Sequence, residues 1–293
     1  MIYDLEREGT LPEFDADVCV VGAGAAGIVL AGELVRRGRR VLLLESGGAV
    51  IEPAAQELNA CSYTGQPHQG ANIGRFRALG GTTTTWGGQV LELTEEDFEV
   101  RAWVPGSGWP FPKRELQPYY ERALLAEGLA SVVRKDDEVW HRMKTDAPAP
   151  GSEMETYFTR WCREPNFARL YGELLQSPNL LVVLHATATA MLSSEDETRV
   201  AGFRCRSEAR ELVFSAAQYV LCLGTIETVR FLLQPLPNAR VAPWNVSGLL
   251  GKHFQSHIDY NTAKIPAESA LRCARWRGDS RRFGNGRLMR QRT

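Results

Sequence analysis

The sequence has 293 residues and a formal net charge of −1 at pH 7, with 44% hydrophobic and 24% charged residues. This composition is typical of a globular protein with a large buried core, and the length fits one or two domains. The balanced charge gives no reason to expect a nucleic-acid partner or an anionic membrane surface. No apolar stretch is long enough for a membrane span and no targeting segment is recognisable, so we expect a cytoplasmic protein.

The first predicted elements are a strand, a glycine-rich turn, a helix and a second strand. Residues 1–14 are polar and predict a surface arm. Val18–Val21 is an apolar run typical of a strand buried on both faces. A helical pattern then runs to about Arg37, Gly38 ends it, and Val41–Leu44 predicts a second buried strand.

The turn after the first strand has the spacing of a dinucleotide-binding motif. It reads Gly22-Ala23-Gly24-Ala25-Ala26-Gly27. Gly22 permits a tight turn, Gly24 lets the backbone approach a pyrophosphate, and Gly27 lets the helix pack closely on the strand. Free N–H groups and the positive end of the helix dipole then favour an anion. A glycine-rich turn without a ligand is the alternative, and the flanking strands and helix argue against it.

An acidic residue ends the second strand. Glu45 lies eighteen residues after Gly27, where a carboxylate can accept hydrogen bonds from ribose hydroxyls. Its charge would repel a 2′-phosphate, which argues against an NADP-type ligand. With the neighbouring Ser46, it completes the nucleotide site predicted from this stretch.

A second glycine-rich segment, GRFRALGGTTTTWGGQV, follows at residues 74–90. So many glycines around hydroxyl side chains predict a loop whose backbone lies against a ligand. A polar linker is the alternative, but Arg77, Leu79 and Trp86 are poor linker residues.

The rest of the chain predicts helices, strands and a basic tail. A helix begins near Pro118, residues 133–151 form an exposed charged excursion, and a short helix spans 169–175. Strands are predicted at 180–184, 187–192, 200–205, 212–214 and 219–223, followed by a helix at 225–233 that Thr225 caps. The arginine-rich residues 271–293 predict a disordered tail rather than a binding surface.

The cysteines and histidines predict neither a metal site nor a disulfide framework. Six cysteines are scattered without a CxxC pair. His253 and His257 could share a helix face, but a third ligand is missing. The remaining histidines, His68, His141 and His185, have no supporting constellation.

The second glycine-rich segment resembles a known family. Arg77-Ala78-Leu79-Gly80-Gly81-Thr82, with Trp86-Gly87-Gly88, resembles the second flavin-contacting motif of the glucose–methanol–choline (GMC) oxidoreductases, and most of all their bacterial sugar- and polyol-dehydrogenase-like branch. The resemblance implies FAD as the cofactor, with further contacts at Ala188, Gly224 and Thr225. Relatives that attach FAD covalently carry a histidine before the matching tryptophan. Thr85 stands there, which implies non-covalent FAD.

The resemblance also implies the fold, an α/β (α+β overall) architecture. A Rossmann-like FAD-binding domain with a parallel sheet and a β-meander would be interrupted by an inserted, incomplete substrate domain. We expect the FAD-binding domain at 1–95 and 180–255, the substrate part at 96–179 and 256–270, and the tail at 271–293.

The implied function is FAD-dependent oxidation of CH–OH groups in a sugar, polyol or other small alcohol, with an unknown electron acceptor. In the family, a histidine paired with histidine or asparagine takes the hydroxyl proton from the C-terminal part of a longer chain. Because resemblance covers roughly the first 260 residues, we assign no catalytic residue and expect a truncated chain that is inactive alone. The alternatives are an NAD-dependent dehydrogenase and a non-catalytic flavin-binding fragment.

Overall fold

A computed structural model describes residues 1–65, 69–130, 135–144, 154–196, 198–208, 210–234, 242–256 and 285–291. The chain divides into two compact units. The first comprises Met1–Thr85 and Asn166–Ile258, and the second comprises Trp86–Pro165 and Asp259–Thr293. His68 and His257 lie outside the described residues, as does most of the predicted tail.

The described residues form short strands and helices. The strands are β1 (Ile2–Asp4), β2 (Val18–Val21), β3 (Val41–Leu44), β4 (Gln89–Val90), β5 (Met154–Trp161), β6 (Leu180–Leu184), β7 (Thr187–Ser193), β8 (Val200–Arg206), β9 (Glu211–Phe214), β10 (Gln218–Leu221) and β11 (Asn285–Gln291). The helices are α1 (Ala25–Arg36), α2 (Pro53–Glu57), α3 (Gln117–Ala126), α4 (Asp136–Met143), α5 (Phe167–Leu170) and α6 (Thr225–Leu232). Among the described residues, no helix has the length and apolar character needed to cross a membrane.

The first unit is built on a five-stranded parallel sheet with the order β1-β6-β3-β2-β10. Every residue of β2, β3 and β6 is buried, as expected for parallel strands covered on both faces. On one face, Cys19 and Leu42 share a hydrophobic cluster with Phe203 and Phe214 from the neighbouring antiparallel sheet. The predicted α/β fold with a parallel sheet is therefore confirmed.

The predicted β-meander is also present. β7, β8 and β9 pair in that order as an antiparallel sheet. In β8, Phe203 and Cys205 are buried whereas Arg204 and Arg206 are exposed. This alternation places one face of the meander against the hydrophobic core and the other toward solvent.

The prediction of a polar surface arm at residues 1–14 is wrong for its first residues. Ile2–Asp4 pairs in parallel with β6 and forms an edge of the main sheet. Tyr3 and Leu5 are buried in the core of the first unit. Such a short strand has too few residues to reveal a hydrophobic period, so the sequence pattern missed it.

The helix predicted at 169–175 is split and begins earlier. α5 starts after Asn166, whose Oδ1 accepts a hydrogen bond from the Ala168 N–H at 2.9 Å, and a separate 3-10 turn follows at Leu174–Gln176. The Phe167 N–H donates to Thr83 Oγ1 at 3.1 Å. These contacts join the segment to the first compact unit, which resumes at Asn166, whereas the FAD-binding domain is predicted to resume at residue 180.

The second unit contains a β11-β5-β4 antiparallel sheet. β11 pairs with β5 from Asn285 opposite Arg160 to Gln291 opposite Met154. The prediction of a disordered tail is therefore wrong for these residues, because their backbone completes the hydrogen bonding along one edge of β5.

The predicted exposed excursion at 133–151 also contains structure. Val139 and Trp140 of α4 are buried, and the Trp140 ring lies 4.7 Å from the Phe158 ring of β5 between centroids. Two apolar side chains among many charges give a weak sequence signal, yet they are enough to anchor this helix.

Candidate functional site

A cleft of about 360 Å³ opens beyond the carboxyl ends of β2, β3 and β10 in the first unit. β2 lies between β3 and β10 in the sheet. From β2 the chain passes through α1 to β3 on one side, whereas the strand on the other side, β10, comes from much later in the sequence. Such a reversal of strand order is the usual ligand site of an open α/β sheet. The cleft is therefore the candidate functional site.

The three motif glycines differ in what a side chain would meet. A Cβ atom on Gly22 would lie 2.4 Å from the carbonyl oxygen of Cys222, and one on Gly27 would lie 1.8 Å from the carbonyl oxygen of Gly22. A Cβ atom on Gly24 would meet none of the described atoms within 4 Å, although Gly24 lines the cleft. Packing thus requires glycine at positions 22 and 27, whereas the space beside Gly24 belongs to the cleft.

Two helices begin at this cleft. α1 starts after Gly24 and α6 after Gly224, and glycine has no side chain with which to cap the first turn. Ala25, Ala26 and Thr225 from the two first turns line the cleft. Two positive helix ends therefore face one space, which favours an anion. Thr225 is the first residue of α6 and not its cap, because the φ of 78° at the cap position suits glycine.

Glu45, at the end of β3, fixes the glycine turn. The carboxylate is buried, and its two oxygens accept hydrogen bonds from the N–H groups of Ala23 and Gly47, each at 2.9 Å. Burial raises the pKa of the Glu45 carboxyl, and the Gly47 and Ala23 N–H groups oppose this rise. Oε1 also accepts a hydrogen bond from Ser46 Oγ at 3.3 Å, whereas Oε2 keeps a second lone pair. Acceptance of a ribose hydroxyl therefore stays a prediction beside this anchoring role.

Arg77 enters the cleft from the second glycine-rich segment. Its Nε donates to Asn59 Oδ1 at 2.8 Å, and its Nη1 donates to Ser46 Oγ at 3.0 Å. Its Nη2 lies 2.8 Å from a carboxylate oxygen of Glu227. The guanidinium is thus held by groups from three separate segments of the chain.

Sequence reasoning missed several polar residues of this cleft. Asn59, Arg75, Glu227 and Arg230 all contribute to its lining. The i, i+3 spacing of Glu227 and Arg230 on the predicted helix was a usable signal for their own ion pair. The pairing of Glu227 with Arg75 had no such signal, because the two residues are far apart in sequence.

Most residues predicted to bind the cofactor meet at this cleft. They are Gly22, Gly24, Ala25, Ala26, Glu45, Ser46, Arg77, Gly81, Thr82, Ala188, Gly224 and Thr225. Ala23, Gly27 and Gly80 lie behind this lining, where the Gly80 N–H donates to the Ala23 carbonyl at 2.9 Å. A Cβ atom on Gly81 would lie 2.8 Å from the Cα of Gly24, so the two glycine-rich turns are in direct contact.

Trp86, Gly87 and Gly88, also predicted to contact the cofactor, belong to the second unit. The Trp86 indole N–H donates to the Pro165 carbonyl at 2.6 Å, and the Gly88 carbonyl accepts from the Cys162 N–H at 2.8 Å. These bonds fix the segment within its own unit, and its contact with the cofactor stays a prediction.

A larger cavity of about 1150 Å³ lies within the second unit. Its lining includes Leu124, Glu127 and Phe158, and burial raises the pKa of the Glu127 carboxyl. None of the described residues around it belongs to the dinucleotide motif. The smaller cleft, which gathers that motif, is therefore the better candidate for the functional site.

His185, expected to have no supporting constellation, lies between two carboxylates. Its Nδ1 is 2.7 Å from Asp4 Oδ1 and its Nε2 is 2.6 Å from Glu52 Oε2. Burial alone would lower the pKa of His185, but the hydrogen bonds to Glu52 and Asp4 hold it above its ordinary value. The backbone N–H of His185 also donates to the Gly47 carbonyl, so these contacts connect β1 to the turn that follows Glu45.

Comparison with known proteins identifies the motif. Residues 15–61 match the sequence family described as an FAD binding domain. The relatives include the 6'''-hydroxyparomomycin C oxidase of Streptomyces lividus, 32% identical over 36% of this chain and 21% of that protein. The oxygen-dependent choline dehydrogenase of Photobacterium profundum is 32% identical over 36% of this chain and 22% of that protein. Residues 15–61 therefore belong to an FAD-binding domain, and the chain is similar to GMC-type oxidoreductases.

The predicted resemblance is thereby confirmed, and the FAD-binding domain includes the strand, glycine turn and helix described above. These matches cover about a fifth of the relatives' own length, so the activity of the whole protein is a matter of proposal. Among solved structures, pyridoxine 4-oxidase from Mesorbium loti has a TM-score of 0.49 and 20% identity, over 75% of this chain and 52% of that chain. The alternative of an NAD-dependent dehydrogenase finds no support in these matches.

Proposed function

We propose that this chain is part of an FAD-dependent oxidoreductase that acts on CH–OH groups of a sugar, polyol or other small alcohol. The observation that carries the proposal is the cleft beside Gly24, where two helix ends and an arginine-rich wall face a space that packing leaves open. Such a space fits the diphosphate of a dinucleotide. Bound FAD would accept the hydride of an alcohol carbon.

Within this proposal, the first unit is a discontinuous FAD-binding domain. Gly24 and the first turns of α1 and α6 would hold the diphosphate, Glu45 the ribose, and the backbone near Ala188 the adenine. FAD would be held non-covalently, since Thr85 stands where relatives with a covalent link carry a histidine.

The reaction class follows from the relatives. Two of them are named as oxidases of 6'''-hydroxyparomomycin C and paromamine, and a third as a choline dehydrogenase. We extend oxidation of a small alcohol from these proteins to this chain.

A visible absorption spectrum of the purified protein tests the cofactor. We expect flavin bands, and release of the flavin into the supernatant after acid precipitation would support non-covalent attachment. Anaerobic addition of choline, glucose, glycerol or paromamine then tests the reaction, since a substrate bleaches the bands. A protein that binds NADH and no flavin would overturn the proposal. Flavin bands that one of these alcohols bleaches would show that the chain is active by itself, against the expectation of a chain that is inactive alone.

A further inference from the structure

Four charged side chains form an ion cluster on the wall of the cleft. Arg75 and Arg77 come from the segment before the Gly80-Gly81 turn, and Glu227 and Arg230 come from α6. Glu227 lies 3.1 Å from Arg75 Nη1, 2.8 Å from Arg77 Nη2 and 2.8 Å from Arg230 Nε. We call these four residues the Glu227 cluster.

The Glu227 cluster carries more positive than negative charge in a largely buried place. The side chains of Arg75, Arg77 and Glu227 are 22%, 12% and 11% exposed, and that of Arg230 is 51% exposed. Three guanidinium groups and one carboxylate leave a surplus of two positive charges. One of these two charges lies on the half-exposed side chain of Arg230, so the buried surplus is one positive charge. A buried surplus is costly unless another anion compensates for it, so the cluster points to an anionic ligand.

The charge of a dinucleotide is opposite in sign to this surplus. Its two phosphates carry about one negative charge each, and all four residues of the Glu227 cluster line the same cleft as Gly24. The other acid of the cleft, Glu45, accepts hydrogen bonds from two backbone N–H groups and also interacts with Arg77, so the five charged side chains together leave one positive charge. The arginines therefore supplement the partial charges of the two helix ends.

Glu227 is the contact that holds these arginines together. Although burial would raise the pKa of Glu227, the hydrogen bond from Arg230 and the charge of Arg77 hold it below its ordinary value, so the carboxylate is ionised near neutral pH. Without this carboxylate, three like charges would repel one another across a few ångströms. Arg75 would keep its hydrogen bond to the Ala71 carbonyl and Arg77 those to Asn59 and Ser46, but the repulsion would shift the ends of the guanidinium groups that now meet at Glu227.

We propose that Glu227 is a positioning residue for the cofactor, which fixes Arg75, Arg77 and Arg230 so that their surplus charge faces the diphosphate of FAD. This inference rests on the proposed function. It assigns a role in cofactor binding to three arginines and one carboxylate that lie outside the dinucleotide motif. Glu227 acts through the arginines and need not touch the cofactor.

The test is the affinity of the flavin-free protein for FAD, measured by quenching of flavin fluorescence. We expect Glu227→Gln to weaken FAD binding roughly 30-fold or more, because it breaks one partner of a buried charge pair. The matched control is Glu33→Gln, which removes a carboxylate from the exposed pair with Arg36 on α1 and leaves the affinity unchanged. Wild-type affinity, or tighter binding, in Glu227→Gln would overturn the proposal.

A second readout distinguishes positioning from a general loss of structure. ADP and adenosine compete with FAD, and only ADP carries the diphosphate. We expect Glu227→Gln to weaken competition by ADP and to leave competition by adenosine unchanged, whereas equal losses for both would mean that Glu227 merely supports the fold.

A milder variant keeps the proposal testable if Glu227→Gln does not fold. Arg77→Lys retains the charge but loses the fork that reaches Asn59, Ser46 and Glu227. We expect Arg77→Lys to reduce ADP affinity and to leave adenosine affinity unchanged, and equal losses for both would overturn the proposal. Where Glu227→Gln does fold, the double variant is expected to lose less than the sum of the two single losses. Additive losses would contradict action through Arg77. If the wild-type protein binds no FAD at all, the proposed function fails, independently of Glu227.

Discussion

Replacement of Gly24 separates cofactor binding from folding. A Cβ atom there meets none of the described atoms within 4 Å, and the backbone φ of −81° suits any residue. Gly24→Ala therefore changes the stability of the flavin-free protein by no more than about 1 kcal/mol, the cost of a poorer helix cap. The same methyl group enters the space assigned to the diphosphate, where overpacking costs about 1–3 kcal/mol. This corresponds to a loss of FAD affinity of roughly 5- to 140-fold.

Fluorescence titration with FAD and urea unfolding of the flavin-free protein measure the two effects. Gly24→Val adds two more carbons and increases the loss of affinity. Gly27→Ala is the matched comparison, because its Cβ would lie 1.8 Å from the Gly22 carbonyl oxygen and must disturb the fold itself. Wild-type FAD affinity in Gly24→Val would refute the assignment of this space to the cofactor.

Three further predictions test other contacts. In Glu45→Gln an amide NH2 replaces one carboxylate oxygen and faces a backbone N–H, so one of the two hydrogen bonds is lost. The free energy of unfolding in urea therefore falls by about 1–3 kcal/mol, and an unchanged value would contradict the two hydrogen bonds to Glu45. His185 stabilises the fold while protonated, so thermal melts show full stabilisation below pH 6.5 and its loss as the pH rises through the raised folded-state pKa. His185→Asn, which tolerates the positive φ there, flattens this dependence, and an unchanged profile would exclude the cluster as its source. Leu5→Ala removes a buried side chain and costs about 2–5 kcal/mol of unfolding free energy. The control variant Leu58→Ala truncates an exposed side chain and costs less than about 0.5 kcal/mol. Equal losses in the two variants would mean that the first residues form a surface arm, as the sequence predicted.

Local sequence patterns predicted the central elements of the fold. β2, β3 and β6 have the expected bounds, because each is a continuous run of apolar residues bounded by residues of a different type, and such a run is recognised from neighbours in sequence. The glycine spacing also located the cleft, since each glycine meets a local steric demand. β10 ends at Leu221, earlier than expected, although the Cys222 N–H still donates to the Val21 carbonyl at 2.7 Å, and Cys222 and Leu223 line the cleft.

Contacts between distant charges could not be predicted in this way. Arg75 and Glu227, or Asp4 and His185, each look like ordinary surface residues in the sequence. Hydrophobic periodicity reports which apolar side chains are buried, and it carries no information on which charges meet after the chain has folded. The sequence did not predict β1 for a related reason, since three residues are too few to define a hydrophobic period.

The strand order has a consequence for the moment at which the chain can acquire its cofactor. Val18 of β2 pairs with Gln218 of β10, so the glycine turn emerges from the ribosome long before the strand and helix that complete the opposite wall. Chains are made from the N-terminus, and pairing over such a separation is slow to form. A nascent chain that ends before α6 would offer FAD only one side of its cleft. Cofactor uptake is thus a late step in the maturation of this protein.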